Sequence, residues 1–417
     1  MYRDQTVAAV VPAYNEAGFV GDVIDELPSF LDRAYVVEDG STDDTWAEIR
    51  RHAVARNADH EGVFADLVVP IQHDQNRGVG GAIKTGYLRA REEEIDVTVV
   101  LGGDNQMDPE QLTRYIDPIV DGIADYTKGN RFARPEDRAA MPRLRLIGNV
   151  ALSYLTKVAS GYWGSMDSQN GYTAISLSAL RRTDIEGMYE YYGYCNDLLV
   201  RLNVAGVTIA DVPRSSDYAY SDGWKSHIEY REYVPRVSLM LFRGFRWRLW
   251  EKYVLQRYEP IAPLYLLGTG ALGAGVTGLL ATLGRRAEGA GSWVLTSVVG
   301  ALLFVYAGLL DQADNESLEH HLEAVDGESA DDETSYSVLT DSDATPVETG
   351  SQRHHPNAVA NVPGRTDGGS ESTAKDSEPG DLNRLTSTGG TDGLDQDELV
   401  ARRNDAETQT RNGATNE

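Results

Sequence analysis

The stretch DVTVVLGGDNQMDP, residues 96–109, decides how the whole chain is read. An apolar run from Val97 to Leu101, interrupted only by Thr98, stops at Gly102-Gly103. Asp104, Asn105, Gln106 and Asp108 then follow before Pro109. A strand with one wet face alternates apolar and polar residues. A nearly continuous apolar run is buried on both faces, as in a parallel sheet covered by helices. The polar cluster at its end has two readings. One is a turn, with Asp108-Pro109 starting a helix. The other is a carboxylate and an amide presented at a strand tip, where hard cations take oxygen ligands and often bind substrate phosphates.

The flanking sequence repeats the pattern. TVAAVVP (6–12), AYVVED (34–39) and DLVVPIQ (66–72) read as strands of the same kind. Amphipathic segments lie between them, from Val20 to Leu27, Thr45 to Asn57, Gly80 to Glu93 and Pro109 to Gly122. This β-α-β-α order predicts an open α/β fold, in which ligands bind beyond the carboxyl ends of the strands. Tyr14-Asn15-Glu16, Glu38-Asp39-Gly40-Ser41 and Asp104-Asn105-Gln106 fall at those ends.

The 417 residues are 41% hydrophobic, enough for a sizeable core, and carry a formal net charge of −27. From Asp311 onward 25 acids face 7 Lys and Arg, a net of −18, so the first 310 residues hold only −9. An acidic folded part with Arg in excess of Lys resembles the proteins of extreme halophiles, and a halophilic archaeon is the expected source. The charge argues against nucleic acid as a partner. The lone cysteine, Cys195, permits no internal disulfide and reads as packing. VAAVVPAYNE is too short an apolar stretch for a signal peptide.

Beyond residue 230 the character changes. REYVPRVSLMLFRGFRWRLWEKYVLQRYEP (231–260) mixes Arg and Lys with Trp, Phe, Leu and Tyr, as an interfacial amphipathic helix does and as a packed surface helix also can. Ile261 to Leu283 and Ser292 to Leu310 are uncharged and long enough to span a bilayer. Their Gly and Ala suit close helix packing. Basic residues are denser before the first span than between the two, which predicts a cytoplasmic large domain and tail. Residues 311–417 are polar, acidic and poor in large apolar groups, and are expected to be disordered.

Six motifs occur in order: VVPAYNEAG, EDGSTDDT, NRGVGGAIKTGY, GGDNQMDP, KGNR and DSQNGY. Together they resemble the family 2 glycosyltransferases and, within them, the dolichyl-phosphate sugar synthases. The resemblance covers about residues 6–230. It implies an α/β GT-A (nucleotide-diphospho-sugar transferase) domain over 1–230, which the interfacial segment (231–260), the two-helix transmembrane hairpin (261–310) and the disordered tail (311–417) read from composition then follow. It also implies a nucleotide-sugar donor, a UDP-sugar ahead of a GDP-sugar, and a divalent metal, Mg²⁺ or Mn²⁺.

The resemblance assigns roles residue by residue. Pro12, Tyr14, Glu16 and Asp39 fall at the nucleotide, although Glu38 stands where the family usually shows Asp. Asn15 and Glu16 are equally a helix cap and first-turn acid. Lys84, one turn into the helix after the Gly78–Gly81 stretch, is placed at the donor. The family's Asp-Ala-Asp-x-Gln is here Gly102-Gly103-Asp104-Asn105-Gln106, which leaves Asp104 and Gln106 as metal ligands and implies weaker binding. Asp104, Arg131 and Asp197 are the catalytic candidates. Arg131, Arg145, Lys225 and His227 are candidates for the acceptor phosphate, with Arg143 nearby. Asp167 and Gln169 sit in the acceptor element. Asp197 is either a base or, because a lipid phosphate is already ionised and needs none, only an anchor for an Arg or Lys. The expected reaction is hexose transfer to dolichyl (polyprenyl) phosphate at the cytoplasmic face of the cell membrane, for protein glycosylation. The competing readings are a family 2 enzyme acting on another lipid or polysaccharide, and a metal-deficient membrane scaffold without enzymatic activity.

Overall fold

The computed structural model describes residues 1–133, 141, 143–214, 230–282, 290–324 and 336–339. Among them nine strands form one sheet: β1 Val7–Ala13, β2 Arg33–Glu38, β3 Val68–Gln72, β4 Val97–Val100, β5 Tyr126–Asn130, β6 Thr173–Ser176, β7 Ile209–Pro213, β8 Glu319–Ala324 and β9 Tyr336–Leu339. The order is β3-β2-β1-β4-β6-β5-β7-β8-β9. β6 runs antiparallel to β4 and β5, and β9 to β8; the other pairings are parallel. The helices are α1 Val20–Asp25, α2 Thr45–Ala58, α3 Val79–Glu92, α4 Leu112–Val120, α5 Arg143–Ser160, α6 Leu177–Arg182, α7 Tyr194–Val204, α8 Tyr230–Arg248, α9 Ile261–Thr282 and α10 Ala290–Asn315.

The continuous apolar strands are explained by a core on each face. Along β1, Val7, Ala9, Val11 and Ala13 face α1, α2 and α4, while Ala8 and Val10 face α3, α6 and α7. Helix α3 lies close on the second face: a Cβ at Gly86 would stand 2.3 Å from Val10 Cγ1. Register then places the functional loops. Ala8–Ala13 pair with Arg33–Glu38, and Val7–Val10 with Val97–Val100. The chain winds from β1 out through β2 to β3, then crosses back to β4 on the other side of β1. Such a switch point opens a crevice at the carboxyl ends of the diverging strands, here β1 and β4. Both readings of the 96–109 stretch hold at once. Asp108 does start a helix, its carboxylate accepting from Glu110 N–H at 3.0 Å, and Asp104 still lies at the strand tip.

Helix α8 packs Val237, Met240 and Leu241 against Ala159 of α5 and Val200 of α7. Its other side exposes Val234, Leu239 and Phe242, and the segment after it exposes Trp250, Leu255 and Tyr258, with Arg243 and Arg246 also exposed. A packed helix and an amphipathic surface therefore coexist. A π-helical stretch, Leu249–Gln256, leads into α9. Helices α9 and α10 are each long and apolar enough to cross a membrane. Their backbones touch, since a Cβ at Gly268 would lie 2.6 Å from Phe304 N, and one at Gly300 would lie 2.3 Å from Leu272 N.

One expectation is corrected here. Residues 311–324 are not disordered tail. Helix α10 continues to Asn315, and β8 joins the sheet beside β7. The composition is polar because its polar groups are partnered inside the protein. Arg248 and Asp311, both fully buried, form a bidentate pair (Nη1–Oδ1 2.8 Å, Nη2–Oδ2 2.7 Å). Arg248 also donates to the Ala159 carbonyl at 2.9 Å, Tyr253 OH donates to Asp311 at 2.5 Å, and Lys252 donates to Asn203 at 3.1 Å and to Asn315. Most of the remaining tail, residues 325–335 and 340–417, lies outside the described residues.

Removing one partner of a buried pair leaves an uncompensated charge, whereas replacing both is often tolerated. Asp311→Leu is therefore expected to cost about 3–5 kcal/mol in denaturant unfolding of the detergent-solubilised protein. Adding Arg248→Met should recover most of that loss. An Asp311→Leu protein as stable as wild type would remove the pair from its anchoring role.

Candidate active site

The loops at the crevice are tied together by backbone groups. Gly103 N–H donates to the Pro12 carbonyl at 3.2 Å, Asp39 N–H to Ala13 at 2.9 Å, and His73 N–H to Glu38 at 2.9 Å. Asn15, in a left-handed conformation (φ 55°), accepts from Thr42 N–H at 2.9 Å. Asn15 and Glu16 N–H donate to the hydroxyls of Ser41 (3.0 Å) and Thr45 (2.9 Å). The EDGSTDDT segment is thus the frame on which the loop after β1 rests. Gly40 is required at its turn: φ is +72°, and a Cβ would lie 2.6 Å from Asn76 N.

Buried Asp39 accepts on Oδ1 from His73 Nδ1 at 2.7 Å and from Arg77 N–H at 2.9 Å. His73 Nε2 lies 2.9 Å from Thr85 Oγ1. Nothing in the sequence singled out His73. Lys84 does stand on α3, but its ammonium pairs with Glu190 at 2.9 Å, and Arg77 pairs with the same oxygen at 2.9 Å. Tyr14 is exposed and Pro12 partly buried.

At the tip of β4, burial pushes the Asp104 carboxyl above its usual range, and the Gln106 N–H (3.3 Å) and the charge of Arg214 oppose that rise. A Cβ at Gly102 would stand 2.6 Å from Asp104 Oδ1, so the Asp104 carboxylate occupies the space beside Gly102. Asn105, also left-handed (φ 53°), buries an Oδ1 that has no hydrogen-bond donor among the described residues. Burial, then the charges of Asp104 and Asp43, push Glu16 up to about 7. The Tyr192 hydroxyl shares this electrostatic environment, its pKa raised by burial and then by the charges of Glu16 and Asp104.

This donor set fits a hard divalent cation. It offers a half-buried, under-compensated carboxylate, an orphaned amide oxygen, and like charges that a cation would relieve. Among the described residues no three His, Cys, Asp or Glu converge as a metal cage. An ion here would take its remaining ligands from a bound phosphate and from water.

On the other side of the crevice, Asp167 is fully buried with φ 53°. Burial alone would raise its carboxyl, but Arg131 holds it down to about 2. Arg131 gives it Nε and Nη2 at 2.8 Å each and its backbone N–H at 3.0 Å. The structure thus presents Arg131 as the partner of Asp167. Asn170 Nδ2 reaches Asp167 at 3.3 Å, and Arg214 donates to Asn170 Oδ1 and to the Gln106 carbonyl at 3.2 Å each. Arg214 also stands 5.3 Å from the Tyr172 ring centroid. It went unread in the sequence; the available signal was an arginine directly after the apolar strand TIADVP. Gln169 donates to Tyr233 of α8.

Asp197 does not join this group. Its carboxylate accepts from Arg201 Nε at 2.7 Å and Tyr189 N–H at 2.9 Å. Of its two readings, the anchoring one is what the geometry supports. Burial pushes the Cys195 thiol up to about 11, which agrees with a packing role. The side chains of Arg143 and Arg145, and all of Lys225 and His227, lie outside the described residues.

The model for "Glycosyl transferase family 2" matches residues 8–183. A UDP-N-acetylglucosamine–dolichyl-phosphate N-acetylglucosaminyltransferase of Methanococcus voltae is 31% identical over 219 residues, 52% of this chain and 87% of its own. Glycosyltransferase AglJ of Haloferax volcanii is 26% identical over 317 residues, 74% of this chain and 90% of its own. Among solved structures, glucosyl-3-phosphoglycerate synthase of Mycobacterium tuberculosis is similar at a TM-score of 0.41 and 17% identity, covering 59% of this chain and 80% of that one.

Glu16 gives a test of the crowded charges. A carboxyl whose folded pKa lies above its unfolded one binds its proton more tightly when folded. The stability it contributes is present below the ordinary value of 4.5 and lost as pH rises through about 7. Glu16→Gln should therefore raise the melting temperature of ligand-free and metal-free protein at pH 8 and leave it unchanged at pH 4. Equal effects at both pH values would contradict this electrostatic picture.

Proposed function

The chain belongs to glycosyltransferase family 2, and on that premise we propose that it transfers a hexose from a nucleotide-diphosphate sugar to dolichyl or another polyprenyl phosphate at the cytoplasmic face of a membrane. A UDP-sugar is the favoured donor, and the product a carrier for protein glycosylation in a halophilic archaeon. The observation that carries this reading is Asp104 at the switch-point crevice, half-buried and with its carboxyl raised by burial more than the charge of Arg214 lowers it. The acceptor named for the Methanococcus relative and the two apolar helices on this chain point to a lipid phosphate.

In this mechanism an acceptor phosphate oxygen forms a bond to the anomeric carbon as the bond from that carbon to the diphosphate breaks, with inversion. The electron pair leaves on the diphosphate, which departs as nucleoside diphosphate. No proton has to be removed from an ionised phosphate, which is consistent with Asp197 being committed to Arg201. A divalent cation, Mg²⁺ or Mn²⁺, would supply positive charge at the leaving diphosphate, held by Asp104 and by an amide oxygen of Asn105 or Gln106. Arg214 adds a fixed positive charge beside that loop, preorganised by Asn170 and Tyr172. Asp39, with Glu16 and the backbone after β1, would receive the nucleoside. The Arg131–Asp167 pair would form the acceptor wall, with Arg145, Lys225 and His227 as further phosphate candidates.

The chain leaves the domain at α9 and rejoins the same sheet at β8, so a two-span hairpin keeps both attachments on one side of the membrane. The exposed Phe242, Trp250, Arg243 and Arg246 would then rest at the lipid surface. Arg248 is not among these groups, because it is buried against Asp311.

Asp104→Ala should cut transfer to polyprenyl phosphate by about 10²–10³-fold while the protein stays folded. Gly102→Asp, which restores the acid the family motif usually carries, should lower the Mn²⁺ concentration needed for half-maximal activity. Transfer by Asp104→Ala within twofold of wild type would end the metal assignment.

A further inference from the structure

We propose that Glu319, at the start of β8 beyond the membrane hairpin, is a positioning residue for the acceptor wall of the active site. The inference rests on the transferase reading above and extends it to a segment whose composition looks like tail. The Glu319 carboxylate receives three successive backbone N–H groups. Trp163 donates to Oε1 at 2.6 Å, and Gly164 and Ser165 donate to Oε2 at 2.8 Å each. Three consecutive amides converging on one anion form a concave nest. That convergence fixes the backbone of the 163–165 loop.

The loop matters because it leads directly into the acceptor wall. Ser165 Oγ and Met166 N–H donate to Asp211 of β7 at 2.9 Å each. The next residue is Asp167, held left-handed and bonded three times to Arg131. Asn170 links Asp167 to Arg214, and Arg214 reaches the carbonyl of Gln106 beside Asp104. A path of hydrogen bonds, with one backbone step from Met166 to Asp167, therefore runs from β8 to the loop at the tip of β4. Glu319 is its first member. On its other side the 163–165 loop is held by Lys157, which donates to the Trp163 carbonyl at 2.6 Å.

The approach is close. A Cβ at Gly164 would stand 2.6 Å from His321 Nε2 and 3.1 Å from Glu319 Oε2. Burying a carboxylate is unfavourable unless it is well hydrogen-bonded, and burial does push Glu319 up to about 7 despite its three donors. A strand added only to extend the sheet would not need an acid at this point. Because β8 is reached only through α9 and α10, the membrane hairpin and the Arg248–Asp311 pair also set where Glu319 lies.

The test is Glu319→Gln, in which one acceptor oxygen becomes an N–H donor facing donors, measured in the full-length protein at pH 8. Amide hydrogen exchange of Trp163, Gly164 and Ser165 should speed up at least tenfold. The kcat/KM for a short polyprenyl phosphate should fall about 10–100-fold, as misplacing a reactant by an ångström does, while the KM for the donor stays within twofold. Unchanged exchange at the three amides, or equal losses for donor and acceptor, would overturn the proposal. If wild-type protein transfers no sugar to any polyprenyl phosphate, the functional reading fails by itself. The exchange measurement then still decides whether Glu319 holds the loop.

Discussion

Everything at the crevice depends on where parallel strands are forced to end. β1, β2 and β4 are bonded in register, so their last residues share one edge. The change of winding direction between β1 and β4 keeps that edge open to a ligand. Glu16, Asp39 and Asp104 are brought together by this pairing from positions far apart in the chain. Burial raises the Glu16 carboxyl to about 7, and the charges of Asp104 and Asp43 add to that rise. A fold that gathers buried and half-buried negative charge in a crevice is at its most comfortable with a cation there. That is the physical link between the sheet and the chemistry proposed for it.

A second constraint couples the site to the bilayer-sized hairpin. Arg248 and Asp311 are both fully buried and bonded to each other twice. Neither tolerates separation, because each would be left as a lone charge in a dry interior. The pair therefore holds the base of α10 against α5 and the end of α8. From that fixed point the chain enters β8 and delivers Glu319 to the loop before Asp167. The helices are thus more than an anchor, since their far end supplies part of the catalytic domain's own hydrogen bonding.

Much of this was legible in the sequence. The apolar strands, the crevice loops and the two spans each carry a local signal: continuous β-branched residues, a Gly-rich break followed by acids, and about twenty uncharged residues in a row. The positions of Asp39 and Asp104 at strand ends were legible from the apolar runs before them, whereas the roles given to them came from the family resemblance. The partners of charged residues were not legible. Arg131 with Asp167, Lys84 with Glu190 and Asp197 with Arg201 are contacts between side chains, and only Asp197 and Arg201 are near enough in sequence, one helical turn, to suggest a pair. Residues 311–324 were misread for a related reason. Composition measures how many polar groups a segment has and cannot tell that Asp311, Asn315 and Glu319 find partners far upstream in the chain. Arg214 was missed because one arginine after a strand is common, and its value comes from Asn170, Tyr172 and Gln106 around it.

The central claim is that a phosphate on a lipid attacks the sugar carbon and expels an intact nucleoside diphosphate. The most direct measurement is the mass of both products after membranes containing the protein are incubated with a nucleotide-diphosphate sugar, Mn²⁺ and polyprenyl phosphate. The account predicts one nucleoside diphosphate released per lipid product, and a lipid that has gained one hexose and still carries a single phosphate. A nucleoside monophosphate together with a lipid carrying two phosphates would mean that the bond broken is phosphorus to oxygen, and the mechanism would be contradicted.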